Sequence, residues 1–245
     1  MRRLVVATTN PGKLREILGI LSAPLPSGHP PGIELVPLDR FPGLAEPEET
    51  GETFAENARL KALYYAHATG LPSVADDSGL EIDALDNAPG VHSARWHGTD
   101  YAVKFQKIYE LLRERGVNGS AARFVCHVAL ADRGQVIYET TGVVTGEIAP
   151  QPRGTNGFGY DPIFYYPPFG CTLAEVDLER KATVSHRGRA FGALRDYLVR
   201  GQRPEVRGER PEVRGQRSEA RGQRSEARGQ RPEVRGQKPG KSSSV

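Results

Sequence analysis

Apolar positions along residues 1–199 follow two rhythms, which alternate early in the chain and settle into one later. The unbroken run Leu4–Ala7 predicts a buried strand, and behind it Leu14, Ile17, Leu18 and Leu21 recur at the spacing of one helix face. "APLPSGHPPG" reads as a loop and 33–38 as a second strand. Thr53 followed by Glu56 is a capping-box signature, with Phe54, Ala58, Leu63 and Ala66 behind it, so 54–68 is predicted helical and ends at Gly70. "PSVADDSGLEIDAL" predicts a short strand that meets an acidic turn and continues as another strand. Residues 101–115 predict a helix stopped by Gly116. After it, "ARFVCHVALAD", "QVIYETTGVVTGEI" and "DPIFYY" are rich in β-branched and aromatic residues, the composition of strands, and 187–199 predicts a closing helix. The expected fold class is α/β, a single domain with a mixed, twisted sheet flanked by helices.

The pattern stops at Arg200, where a seven-residue repeat of the type RGQRPEV begins and runs nearly to the end of the chain. Glycine and often proline recur in it with one weakly apolar residue per repeat, which excludes a coiled-coil seam, so 200–245 is expected to be a disordered basic tail. The division changes the meaning of the net charge of +3, because the tail alone carries +7 and residues 1–199 carry −4. An Arg-rich tail could touch nucleic acid by counterion release, though a solvated repeat with no dedicated role is the plainer expectation. Only Cys126 and Cys171 are present, too few for a disulfide scaffold or a zinc site, and no apolar run approaches the roughly 20 residues needed to cross a bilayer. With no charged-then-apolar leader at the start, a soluble, cytoplasmic protein is expected.

Four local patterns carry chemistry. "VVATTNPGKLREIL" passes from a strand through an Asn-Pro-Gly-Lys turn into a helix, where backbone N–H groups and Lys13 favour an anion. Glu46, Glu48, Glu49 and Glu52 precede the capped helix and read either as capping or as metal ligands, and Asp76-Asp77-Ser78 lies at a predicted strand end. Adjacent residues of an extended chain point to opposite sides, so one of the two aspartates can bind while the other packs. Asn57 and Lys61 share a helix face. In "RGTNGFGYDPIFYYP", glycines around Phe158 suit close approach to a ligand and stacking on a base, and Lys181, His186 and Arg187 cluster in what reads as a loop entering the last helix. Together these describe a nucleoside triphosphate site.

The blocks "ATTNPGKLREI", "EETGETFAENARLKA", "VADDSGLEIDAL", "PGVHSARW", "GTNGFGYDPIF" and "KATVSHRGRA" resemble, in order and spacing, those of the inosine/xanthosine triphosphate pyrophosphatases, over residues 3–198. The resemblance implies an elongated two-lobed α/β fold, Mg²⁺, a homodimer, and hydrolysis of ITP, dITP or XTP to the monophosphate and pyrophosphate. It implies that Thr8, Thr9, Asn10, Pro11, Gly12 and Lys13 bind the triphosphate, that Asp77 is the general base and a metal ligand, and that Glu48 is another ligand, with Glu49 as a further candidate. Ser78 would contact substrate. Phe158, Gly159, Tyr160 and Asp161 would form the base pocket, with Lys181, His186 and Arg187 completing recognition. On that footing Lys13, Lys61 and Lys181 are expected to neutralise the polyphosphate, and a donor from Arg187 or the backbone to face O6 of the base. Two rival readings remain: a septum-formation-type nucleotide pyrophosphatase acting on other nucleotides, and a nucleic-acid-binding factor that uses its tail.

Overall fold

In the computed structural model, which describes residues 2–24 and 32–200, the early alternation becomes a sheet that starts parallel and finishes antiparallel. β1 (Arg2–Val6) pairs in parallel with β2 (Ile33–Pro37) on one side and with β3 (Ser73–Ile82) on the other. From β3 onward β4 (Ala121–Asp132), β5 (Gln135–Ile148), β6 (Phe164–Tyr166) and β7 (Cys171–Thr172) add in antiparallel succession, in the spatial order β2-β1-β3-β4-β5-β6-β7.

Local chemistry sets the helix ends. Asn10 caps α1 (Pro11–Ser22) by accepting the Lys13 N–H at 3.0 Å, with Pro11 in the first turn where its missing donor is harmless. The predicted capping box of Thr53 and Glu56 starts α2 (Phe54–Thr69), and Gly70 ends it in a left-handed conformation. Asp100 caps α3 (Tyr101–Glu114), and Asp177 caps α4 (Leu178–Val184) before α5 (His186–Arg200).

Alternation along β3 and β4 sorts the helices. On one face Val74, Val128 and Leu130 meet Ile17 and Leu21 of α1 and Phe191 and Leu194 of α5. On the other, Ala75, Ala129 and Ala131 meet Ala58, Ala62 and Ala66 of α2, and these small side chains let helix and sheet approach closely. On the same face as α1 and α5, α3 covers the far half of β3 and β4 through Phe105, Ile108 and Leu112 against Leu80, Ile82 and Phe124.

Three expectations about elements are corrected. Asp76 and Asp77 form no turn: β3 runs unbroken through them, because both charges find partners on the flanking helices. The stretch before the last helix is not a loop but α4, seven residues long and too polar to show a stripe. Asp161–Ile163 is a 3₁₀ turn that leads into the three-residue strand β6. The repeat tail from residue 201 and most of the proline-rich loop, 25–31, lie outside the described residues.

Candidate active site

Two adjacent aspartates on a strand must face opposite helices, and here they acquire opposite electrostatics. Asp76 points into the α1/α5 layer, where it is 2 % exposed, with Lys13 Nζ at 3.0 Å and Arg187 Nη2 at 3.4 Å. Burial alone would raise its pKa, but Lys13 and Arg187 hold the carboxyl well below the usual range. Asp77 points to α2, where Lys61 Nζ donates to one carboxylate oxygen at 3.0 Å and Asn57 Nδ2 to the other at 3.3 Å. Burial outweighs these contacts and raises the Asp77 pKa above 3.8. The deeper carboxylate is a fixed charge and the outer one a candidate base.

Behind Asp76 lies a closed ionic network. Glu16 of α1 accepts Lys181 Nζ at 2.7 Å and Arg187 Nη1 at 2.6 Å. Lys181 also donates to Asp161 at 2.5 Å, and Arg187 to the Ser78 hydroxyl at 2.8 Å. Three carboxylates, Glu16, Asp76 and Asp161, thus stand formally against three cations, Lys13, Lys181 and Arg187. Burial raises the pKa of Asp161 despite Lys181, whereas the two cations pull Glu16 down against the same effect.

An aromatic wall stands over this floor. Phe158 lies against α1 at Gly12, where a Cβ would sit 2.7 Å from the ring, so only glycine lets the ring reach the helix start. The ammonium of Lys181 and the guanidinium of Arg187 lie 5.1 and 5.5 Å from the centre of that ring. Tyr160 and Tyr101 close another side edge to face, at 5.2 Å between ring centres. His186 stacks on Phe124 at 4.7 Å, and its Nδ1 is buried with no hydrogen-bond partner among the described residues. Burial first, and then the neighbouring Arg187 and Lys181, hold the His186 pKa well below 6.5, so the ring is neutral. One pocket collects Lys13, Asp77, Phe158, Tyr160, Lys181 and His186.

A model of the Ham1 family matches residues 4–197. This chain belongs to the Ham1 family. Similar proteins named dITP/XTP pyrophosphatase include that of Geobacter sulfurreducens, 48 % identical over 200 residues (81 % of this chain, 97 % of that protein). One from Thermus thermophilus is 49 % identical over 208 residues (82 % and 94 %). Among solved structures, a HAM1 protein from Coxiella burnetii superposes with a TM-score of 0.73 at 42 % identity, over 82 % of this chain and all of that one.

Against the family's expected site, this Ham1 chain brings most of the residues together and rearranges some. Asn10, Lys13, Asp77, Ser78, Phe158, Gly159, Tyr160, Asp161, Lys181, His186 and Arg187 all line the pocket. Lys61 reaches it through Asp77, and Pro11 and Gly12 form the helix start beneath Phe158. Thr8 and Thr9 instead border a neighbouring depression with Leu38 and Tyr65. Glu48 is exposed and makes none of the ion pairs of Glu49, which is held by Lys61 at 2.7 Å and Arg95 at 2.8 Å. Lys181 and Arg187 are not free donors awaiting a nucleotide, since each is nearly fully buried and already engaged by Glu16 and a second acidic group.

The sequence reading missed Glu16, although its place three residues after Lys13 puts both on one face of α1. It also missed Arg95 and Lys104, for which no local pattern gives a signal. The donor set suits a divalent cation of the Mg²⁺ kind. No cluster of three or more ligating side chains is preassembled among the described residues, but Glu49 and Asp77 converge on a single cation, the Lys61 ammonium. Mg²⁺ commonly takes one or two carboxylates and fills its shell with water and substrate phosphates.

Proposed function

We propose that this protein hydrolyses non-standard purine nucleoside triphosphates, namely ITP, dITP and XTP, to the monophosphate and pyrophosphate. The observation that carries the reading is one pocket lined both by a raised-pKa carboxylate, Asp77, beside Lys13 of the α1 start, and by a neutral His186 stacked on Phe124 next to the Phe158 and Tyr160 wall. The first suits activation of water beside a polyphosphate, and the second suits a polar purine edge. The names of the relatives support the same substrate class.

In this mechanism the triphosphate lies over the start of α1, where first-turn N–H groups, the helix dipole and Lys13 oppose its charge. Asp77, fixed by Lys61 and Asn57, takes a proton from water, whose oxygen bonds to the α-phosphorus. The bond from that phosphorus to the bridging oxygen breaks, and the oxygen leaves with pyrophosphate. Glu49 and Asp77 would hold Mg²⁺, which supplies neutralisation of the leaving group when bound. The purine packs against Phe158, with its O6 and N1–H edge toward the polar side of the pocket that His186 and Lys181 line. Adenine reverses donor and acceptor at both positions, and a mismatch of that kind against a polar pocket can cost several orders of magnitude in rate.

Mg²⁺ dependence, a homodimer and a cytoplasmic setting belong to the same proposal. Among the described residues no helix is long and apolar enough to cross a membrane. The test is turnover of ITP in oxygen-18 water. The label is expected in the monophosphate; label in pyrophosphate or orthophosphate means attack at another phosphorus and rejects the mechanism.

A further inference from the structure

Lys104 of α3 has no carboxylate partner among the described residues, yet it is wholly buried. Its ammonium donates to the Ser93 carbonyl at 3.1 Å and the Ala94 carbonyl at 2.7 Å, and lies 4.4 Å from the centre of the Tyr101 ring. Burial lowers its pKa, and no acidic neighbour among those residues opposes that effect. Two carbonyls and an aromatic face, with no counter-ion, are an uncommon setting for a buried ammonium, so its surroundings indicate what it serves.

Those surroundings are a wall of the pocket. Ser93, Ala94, Tyr101 and Tyr160 all line it, and Lys104 lies directly behind them. The Ser93 carbonyl that accepts from Lys104 also accepts from the Tyr160 hydroxyl at 2.9 Å. The Ser93 hydroxyl donates to the Gly90 carbonyl at 2.6 Å and accepts the Leu80 N–H at 2.9 Å, which fastens the 90–94 segment to β3. At Gly79, two residues beyond Asp77, a Cβ would collide with the Gly90 carbonyl and the Ser93 hydroxyl, so wall and strand are in direct contact. Lys104 therefore joins three parts of the pocket: α3, the 90–94 segment and the Phe158–Asp161 turn.

We propose that Lys104 is a positioning residue for nucleotide binding, which holds the 90–96 segment and Tyr160 in the shape that receives the substrate without touching the reacting atoms. This rests on the pyrophosphatase reading above. The role predicts a defect in binding rather than in chemistry, because Asp77, Glu49 and Lys61 are held by other contacts.

The chain contains one tryptophan, Trp96, and it lies at the end of this segment, so its fluorescence reports on the wall alone. In Lys104→Met the side-chain volume is nearly kept while the ammonium is lost. KM for ITP is expected to rise about tenfold or more, as two carbonyls lose a buried donor, with kcat changed less than about threefold and Trp96 quenched more readily by acrylamide. Lys104→Gln, which keeps an N–H donor on a shorter arm, should fall between wild type and Lys104→Met in both readouts and serves if the methionine variant does not fold. Unchanged KM in a folded variant, or a fall in kcat with KM and Trp96 quenching unaltered, overturns the proposal. So does failure of both variants to fold, which would assign Lys104 to the core. A wild-type protein inert toward ITP rejects the pyrophosphatase reading instead, and the Trp96 measurement separates the two cases because it needs no substrate.

Discussion

Glu16→Gln should be among the most damaging single-atom exchanges in this protein. The variant keeps the shape of residue 16 but removes one of three carboxylates that balance Lys13, Lys181 and Arg187. Glu16 is 6 % exposed and its two partners are each 2 % exposed, so water cannot screen the imbalance. An amide oxygen can still accept one hydrogen bond, but its NH₂ group must face a cation. Removing one partner of a buried pair typically costs about 3–5 kcal/mol. For a folded region of this size each kcal/mol lowers Tm by about 2–4 °C, so the melting midpoint should fall by about 6–20 °C. Urea unfolding followed by circular dichroism gives the free energy directly, and KM for ITP should rise in parallel because Lys181 and Arg187 lose their anchor. A loss below about 1 kcal/mol, the range of surface ion pairs, would show that the network is solvated and that its burial does not govern the site.

Other expectations follow from the same contacts. Asp77→Asn should lower kcat by about 10²–10⁴-fold while nucleotide binding by calorimetry persists, and near-normal turnover removes Asp77 from the base role. Because burial depresses the His186 pKa below 6.5, the unfolded chain takes up this proton first as pH falls. Stability is therefore lost below about pH 6.5, by up to about 1.4 kcal/mol per pH unit from this group, and His186→Phe should flatten that part of the urea-midpoint profile. Glu49→Gln should weaken Mg²⁺ activation more than Glu48→Gln, and equal effects would contradict the separation of the two residues. Truncation after Val199 should leave kcat and KM for ITP unchanged, whereas a large loss would make the repeat tail part of the enzyme.

Much of this was legible in the sequence where the determinants are local. The Thr53/Glu56 capping box and the Leu14, Ile17 and Leu21 stripe each lead to the observed helix. The rule that neighbours on a strand face opposite ways correctly separates Asp76 from Asp77. What sequence could not show is long-range compensation. An acidic pair reads as a turn until Lys13, Lys61 and Arg187, from three different helices, arrive to neutralise it within β3. In the same way Lys181 and Arg187 read as free donors until Glu16 is found between them. Glu48 and Glu49 are indistinguishable by composition, and only the positions of Lys61 and Arg95 separate them.

The proposed activity turns on selectivity for an O6, N1–H purine edge in a pocket that releases pyrophosphate. The most direct measurement is kcat/KM, by pyrophosphate release with Mg²⁺, over ITP, XTP, dITP, GTP, ATP, UTP and dTTP. ITP, XTP and dITP are expected to exceed ATP, UTP and dTTP by at least about 10²-fold. Comparable rates across the panel, or a preference for ATP or a pyrimidine nucleotide, would contradict it.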